Sequence, residues 1–154
     1  MLLSELLQED VVKIGLQATT KWEAIEELVD VLIAAHEIRL GDRQEVIDAV
    51  VARERSASTG LKYGLAVPHG AASCVREIVG VLGTRTAGIP FESVDDSPAR
   101  IVVLLVIPKD TYQRHVRTLA GVARLATQAE LRDRVLAAST PEQVIAAIDE
   151  LEQR

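Results

Sequence analysis

The chain has 154 residues, of which 48% are hydrophobic and 26% charged, the balance of a soluble globular protein with an aliphatic core. Lys and Arg total 17 and Asp and Glu total 23, for a formal net charge of -6, and aromatics make up only 3%. These values exclude a basic grip on nucleic acid and a base-stacking platform, and the single cysteine, Cys74, excludes an internal disulfide and a Cys-rich zinc site.

The first ten residues have no basic region and turn acidic at Glu5, so a secretory signal is not expected. The longest apolar run, Ile101 to Ile107, is too short to cross a bilayer. A cytoplasmic protein without direct membrane insertion is the expectation, with residues 1–154 as a single domain.

Val11 to Leu16 is short and β-branched, which predicts a strand. Thr20-Lys21-Trp22-Glu23 is a capping box. Trp22, Ile25, Leu28, Val29, Leu32 and Ile33 then recur at helical spacing, predicting a helix from about Lys21 to His36 with that face buried. Asp42 and Glu45 open a second helix through about Arg55, with the stripe Val46, Ile47, Val50 and Val51. Gly64 to Val67 reads as a strand stopped by Pro68. Ile78 to Leu82 and Ile101 to Ile107 are apolar with little alternation, as in strands covered on both faces. Ala87 to Arg100, with Pro90, Pro98 and Gly88, reads as a connecting excursion. Helices are expected over Tyr112 to Gln128 and Glu130 to Ala138. A last helix starts at Thr140-Pro141-Glu142-Gln143 and carries Val144, Ile145, Ile148 and Leu151. The fold class is therefore α/β: a mixed, mostly buried β-sheet flanked by helices on both faces.

Three histidines are available for chemistry. His36 ends the first long helix and reads as a C-terminal cap. His69, in Ala66-Val67-Pro68-His69-Gly70, is expected in the open at the end of a buried strand. Open α/β sheets place ligands there, and Gly70 allows a tight turn and close approach by a partner. A near-neutral imidazole at that point is a candidate nucleophile, base or metal ligand, or simply a solvated strand end. His115 falls with Leu119, Val122 and Ala126 on or beside a helical stripe, near the N-terminal end of its helix; a core-edge role is equally compatible. Arg53 shares the face of Val46 and Val50, where an arginine usually meets an anion. Ser56, Ser58, Thr59 and Gly60 follow, either as donors to a phosphoryl group or as an ordinary loop. His69, His115 and Cys74 match no metal-ligand spacing.

The stretch Arg53-Glu54-Arg55-Ser56-Ala57-Ser58-Thr59-Gly60, followed by Gly64-Leu65-Ala66-Val67-Pro68-His69-Gly70, resembles the signature of enzyme IIA domains of the fructose/mannitol type. These belong to the phosphoenolpyruvate-dependent sugar phosphotransferase system. The resemblance continues through Phe91 to Asp95, the strand Ile101 to Pro108 and His115 to Leu119, and so spans the whole chain. It implies that His69 accepts a phosphoryl group at Nε2 from the phosphohistidine of an HPr-like phosphocarrier. It further implies that His115 is the second active-site histidine, that Arg53 neutralises phosphoryl oxygens, and that Ser58 and Thr59 line the site. No cofactor and no metal are implied. Two departures stand out: Lys62-Tyr63 replaces the usual Gly-Asn turn, and Val116 follows His115 where Leu is usual. No permease or HPr-like domain is fused to the sequence, which fits a free-standing component. Its length and Phe91 to Asp96 look closest to the nitrogen-type regulatory form, whose downstream partner is a regulatory target. The alternatives are a sugar-specific enzyme IIA serving a IIB domain, a non-catalytic binding module of the same fold and, with least support, a small metal-dependent hydrolase.

Overall fold

The computed structural model describes residues 3–125 and 127–152, and its sheet is built around β5 (Ala99–Pro108), which is buried throughout except at Arg100. That continuous burial explains the unbroken Ile/Val/Leu run, because a strand covered on both faces cannot alternate with polar residues. β4 (Val79–Ile89) lies antiparallel to β5, and β1 (Val12–Ile14) lies parallel to β4 on the far side. On the other flank of β5 run β2 (Leu65–Ala66) and β3 (His69–Ala72), both parallel to it. The sheet is mixed, as the element order predicts.

β2 and β3 share one register against β5, with Leu65 opposite Ile101 and His69 opposite Leu105. They are one line of chain interrupted at Val67-Pro68, where Pro68 has no N–H to give the ladder. The Pro68 carbonyl still accepts from Leu105 N at 3.0 Å. His69 therefore opens a strand segment; it does not stand beyond a strand end as the sequence suggests.

α2 (Lys21–Ala34) and α3 (Arg43–Ser56) pack on one face of the sheet. α1 (Leu3–Leu6), α5 (Ala129–Ala137) and α6 (Pro141–Glu152) cover the other, meeting Leu65, Leu82, Ile101 and Val103. Thr20 caps α2 by accepting from Glu23 N at 3.2 Å, while its hydroxyl donates to the Glu23 carboxylate. The buried side of α2 is Lys21, Ala24, Ile25, Leu28, Val29 and Leu32. Trp22, expected in the core, is 37% exposed, and the helical stripe traced back from Ile25 and Leu28 reaches Lys21 instead. His36 follows the helix end with φ 62, its N–H bonding Ile33 O and that of Glu37 bonding Leu32 O, a Schellman closure.

Two further boundaries differ from expectation. β4 extends to Ile89 and pairs there with Ala99, so the excursion shrinks to residues 90–98. The long helix expected from Tyr112 is split into a 3₁₀ segment, Lys109–His115, followed by α4 (Val116–Leu125). Thr111 lies off helical geometry inside that segment, and the expected stripe position Ala126 lies outside the described residues.

Candidate active site

The signature loop leaves the C-terminal turn of α3 and returns alongside β2. Its path is fixed by bonds at each residue. The Arg53 guanidinium donates to Ala57 O at 2.9 Å. The Ser58 hydroxyl donates to Phe91 O and accepts from Gly60 N. Thr59 N donates to a Glu54 carboxylate oxygen at 2.9 Å, and Thr59 Oγ1 donates to the other at 2.5 Å. Thr59 O in turn accepts from Val67 N at 3.1 Å. Gly60 is required here, since a β-carbon would stand 2.6 Å from Ser93 Oγ and 2.9 Å from Phe91 O.

His69 sits two residues beyond Val67. Its Nδ1 lies 2.8 Å from Val67 O, and a carbonyl can only accept, so Nδ1 carries the proton and Nε2 keeps the lone pair. The ring is not held in the open: the residue retains only 8% exposure. Burial, and then the nearby Arg53 charge, push the His69 pKa below its ordinary value; the Val67 carbonyl and Glu54 act in the opposite sense. A neutral imidazole whose Nε2 keeps its lone pair is a nucleophile that needs no base.

Arg53 is half-buried and forms no ion pair with a carboxylate among the described residues. One of its N–H groups serves Ala57 O, which leaves the rest of the fork for an external anion. The sequence places Arg53 on the buried face of α3, but the fully buried residue there is Glu54, with Arg53 at its edge. Ser58 and Thr59 do lie in the loop beside these groups, although both hydroxyl protons are already committed to Phe91 and Glu54.

His115 ends the 3₁₀ segment, half-buried, immediately before α4. Burial first, then Arg114, lower its pKa and favour a neutral ring. The segment carrying it packs against β3 and β5, so the topology brings both histidines to one flank of the sheet. No hydrogen bond joins His69, His115 and Arg53 among the described residues. The close approach at Gly70 is made by α3 and not by an outside partner: a β-carbon there would lie 2.8 Å from Val50 N.

The sequence reading gives no role to the buried pair Lys21 and Glu54. Glu54, 2% exposed, accepts from Lys21 Nζ at 3.2 Å as well as from Thr59, and Lys21 also meets Glu92 at 3.3 Å. A signal existed: Glu54 is i+4 from Val50 and i+7 from Ile47, the centre of the stripe. In the turn before β2, Tyr63 takes φ 65, a conformation that Asn or Gly adopts more readily. It is held by its N–H on Asp95 and by Arg132 stacked 4.5 Å from its ring. The His/Cys/Asp/Glu side chains close enough to share an ion, among the described residues, are Asp42, Glu45 and Cys74; neither His69 nor His115 joins them.

The comparisons with known proteins agree with this fold. The family described as phosphoenolpyruvate-dependent sugar phosphotransferase system, EIIA 2, matches residues 5–151. The chain is 30% identical over 125 residues to the fructose-specific EIIA component of Haloferax volcanii, covering 81% of this chain and 80% of that protein. It is 30% identical to a nitrogen regulatory protein of Bradyrhizobium diazoefficiens, covering 89% and 84% respectively. It is 29% identical to the fructose-specific EIIABC component of Bacillus subtilis, but spans only 23% of that longer protein. Among solved structures, the nitrogen regulatory protein IIA-Ntr from Neisseria meningitidis superposes with a TM-score of 0.84 at 24% identity, covering 95% of this chain and 98% of that one. The IIAMTL–phosphorylated IIBMTL complex of Escherichia coli gives 0.78 at 21%, covering 94% and 97%. The chain belongs to the EIIA 2 family of the phosphoenolpyruvate-dependent sugar phosphotransferase system.

Proposed function

We propose that this chain is a phosphohistidine carrier in which His69 Nε2 accepts a phosphoryl group from an HPr-like phosphocarrier. The observation that carries the reading is the His69 Nδ1 contact with Val67 O at 2.8 Å, which leaves the opposite nitrogen unprotonated. In the transfer, the Nε2 lone pair attacks phosphorus as the donor's N–P bond breaks, and that electron pair returns to the donor imidazole. The proton stays on Nδ1, which keeps donating it to the Val67 carbonyl. Phosphoryl transfer asks chiefly for alignment and for donors to the equatorial oxygens. Arg53 supplies those donors, with Ser58 and Thr59 shaping the loop beside it and His115 closing the site from the 3₁₀ segment. Buried Leu65 and Val67 help keep water from the P–N bond.

The downstream role we propose is regulatory, of the nitrogen type, acting on a target protein. The support is the match to a nitrogen regulatory protein over most of both chains. A sugar-specific role, passing the group to a IIB domain, is favoured by the equally identical fructose-specific component. Incubation with phosphoenolpyruvate, enzyme I and HPr should give an acid-labile phosphoryl group that disappears in His69→Ala. Undiminished labelling of that variant would reassign the acceptor. Adding candidate IIB domains to the labelled protein separates the two downstream roles, since only a sugar-specific component should pass its label to a IIB.

A further inference from the structure

A buried ion pair lies behind the signature loop. Lys21 is the first residue of α2 and is 7% exposed, yet it carries a cation where the helix dipole disfavours one. Burial of an ammonium is costly unless it is paired. Its partner Glu54 has a side chain with no exposure at all. The pair is tied to the loop by two bonds from Thr59, one from N and one from Oγ1. The Thr59 carbonyl accepts from Val67 N, and the Val67 carbonyl holds His69 Nδ1. An unbroken run of hydrogen bonds thus leads from Lys21 through Glu54, Thr59 and Val67 to the imidazole.

We propose that Lys21 and Glu54 are positioning residues for His69: the buried pair anchors Thr59, Thr59 anchors Val67, and the Val67 carbonyl fixes the tautomer and aim of the ring. The inference rests on His69 being the phosphoryl acceptor. A ring free to turn would present Nδ1 or a mixture of tautomers outward, and transfer is sensitive to misalignment on the ångström scale. Arg53, one residue before Glu54, is held in the same arrangement through Ala57 O.

The double variant Lys21→Met/Glu54→Leu removes both buried charges together, so neither is left unpaired in the interior, while Thr59 loses its acceptor. Nitrogen NMR of His69 in the wild type should show a proton on Nδ1 alone. The double variant should show mixed tautomers, with kcat for phosphoryl acceptance from phospho-HPr down at least ~10-fold and KM changed less than about twofold. Lys21→Met/Glu54→Gln keeps an acceptor for Thr59 and should restore the single tautomer and most of the rate. A folded Lys21→Met/Glu54→Leu protein with the wild-type tautomer and kcat overturns the proposal. If that variant does not fold, Thr59→Val cuts the hydroxyl bond alone, and an unchanged tautomer and rate there overturn it equally. The tautomer is read without any phosphodonor. Persistent labelling of His69→Ala would therefore defeat the acceptor assignment separately from the positioning of the ring.

Discussion

The backbone nitrogen of Val50 in α3 would stand 2.8 Å from a β-carbon at Gly70, with Ala49 C at 2.9 Å. α3 therefore rests directly on β3 one residue after His69. The same helix delivers Arg53 and Glu54, so this contact sets how far those charges lie from the ring. Backbone cannot swing aside as a flexible side chain can. Gly70→Ala should force α3 away and destabilise the protein by about 1–3 kcal/mol, the usual range for overpacking. Urea unfolding measures this, and an unchanged midpoint would mean that α3 is free to shift.

The charge of Arg53 reaches His69 and, after burial, is the chief influence lowering its pKa. Replacing Arg53 with Gln should move the His69 pKa back up toward the ordinary histidine value, as followed by the ring C–H shifts in an NMR titration. In the wild type the depressed pKa keeps the ring neutral into mildly acidic solution, so phosphoryl acceptance should stay level across neutral pH and decline only in acid. The sign for stability is the same. The folded state disfavours the imidazolium, so this contribution is complete above the unfolded pKa and is lost as pH falls through the depressed folded value. A titration that moves downward in Arg53→Gln would place the guanidinium elsewhere.

The groups proposed to react are legible in the chain because the signature is local: Arg53 to Gly60 and Gly64 to Gly70 lie within one short stretch. The central strand was readable because a run such as Ile101 to Ile107 suits few other environments. Long-range pairings were not. Nothing local shows that Lys21 will meet Glu54 across 33 positions, and the neighbouring Trp22 looks like the better core residue by hydrophobicity alone. The break at Val67-Pro68 reads locally as a strand terminus because Pro68 lacks a donor; only the shared register against β5 shows that the line resumes at His69. The split at His115 depends on how the segment packs on β3, which helical spacing cannot convey.

Asp95 ties the turn before β2 to the segment between β4 and β5, accepting from Tyr63 N, Ser97 N and Ser97 Oγ. Those bonds, led by the Ser97 hydroxyl, lower its pKa from 3.8 to about 2. A depressed carboxylate pKa contributes stability above the unfolded value and loses it as pH falls through the folded one. Thermal midpoints should therefore drop between pH 3.8 and about 2. Asp95→Asn should flatten that part of the profile and loosen the Lys62-Tyr63 turn. Identical acid profiles in the two proteins would show that this network does not carry the acid sensitivity.

Removing one member of the buried pair has a different consequence from removing both. Lys21→Met leaves the Glu54 carboxylate enclosed, with Thr59 as its remaining donor. Breaking a buried pair from one side typically costs about 3–5 kcal/mol, whereas replacing both partners by apolar groups of similar volume is often neutral. Lys21→Met should accordingly unfold at much lower denaturant than the wild type, and adding Glu54→Leu should recover most of the loss despite being a second core substitution. Glu92, which also meets Lys21, is 83% exposed at its side chain and can turn to solvent, so Glu92→Gln should change stability by less than about 1 kcal/mol. Additive losses in the double variant would mean that the two charges do not depend on each other, and a large loss from Glu92→Gln would move the anchor of Lys21 to the surface.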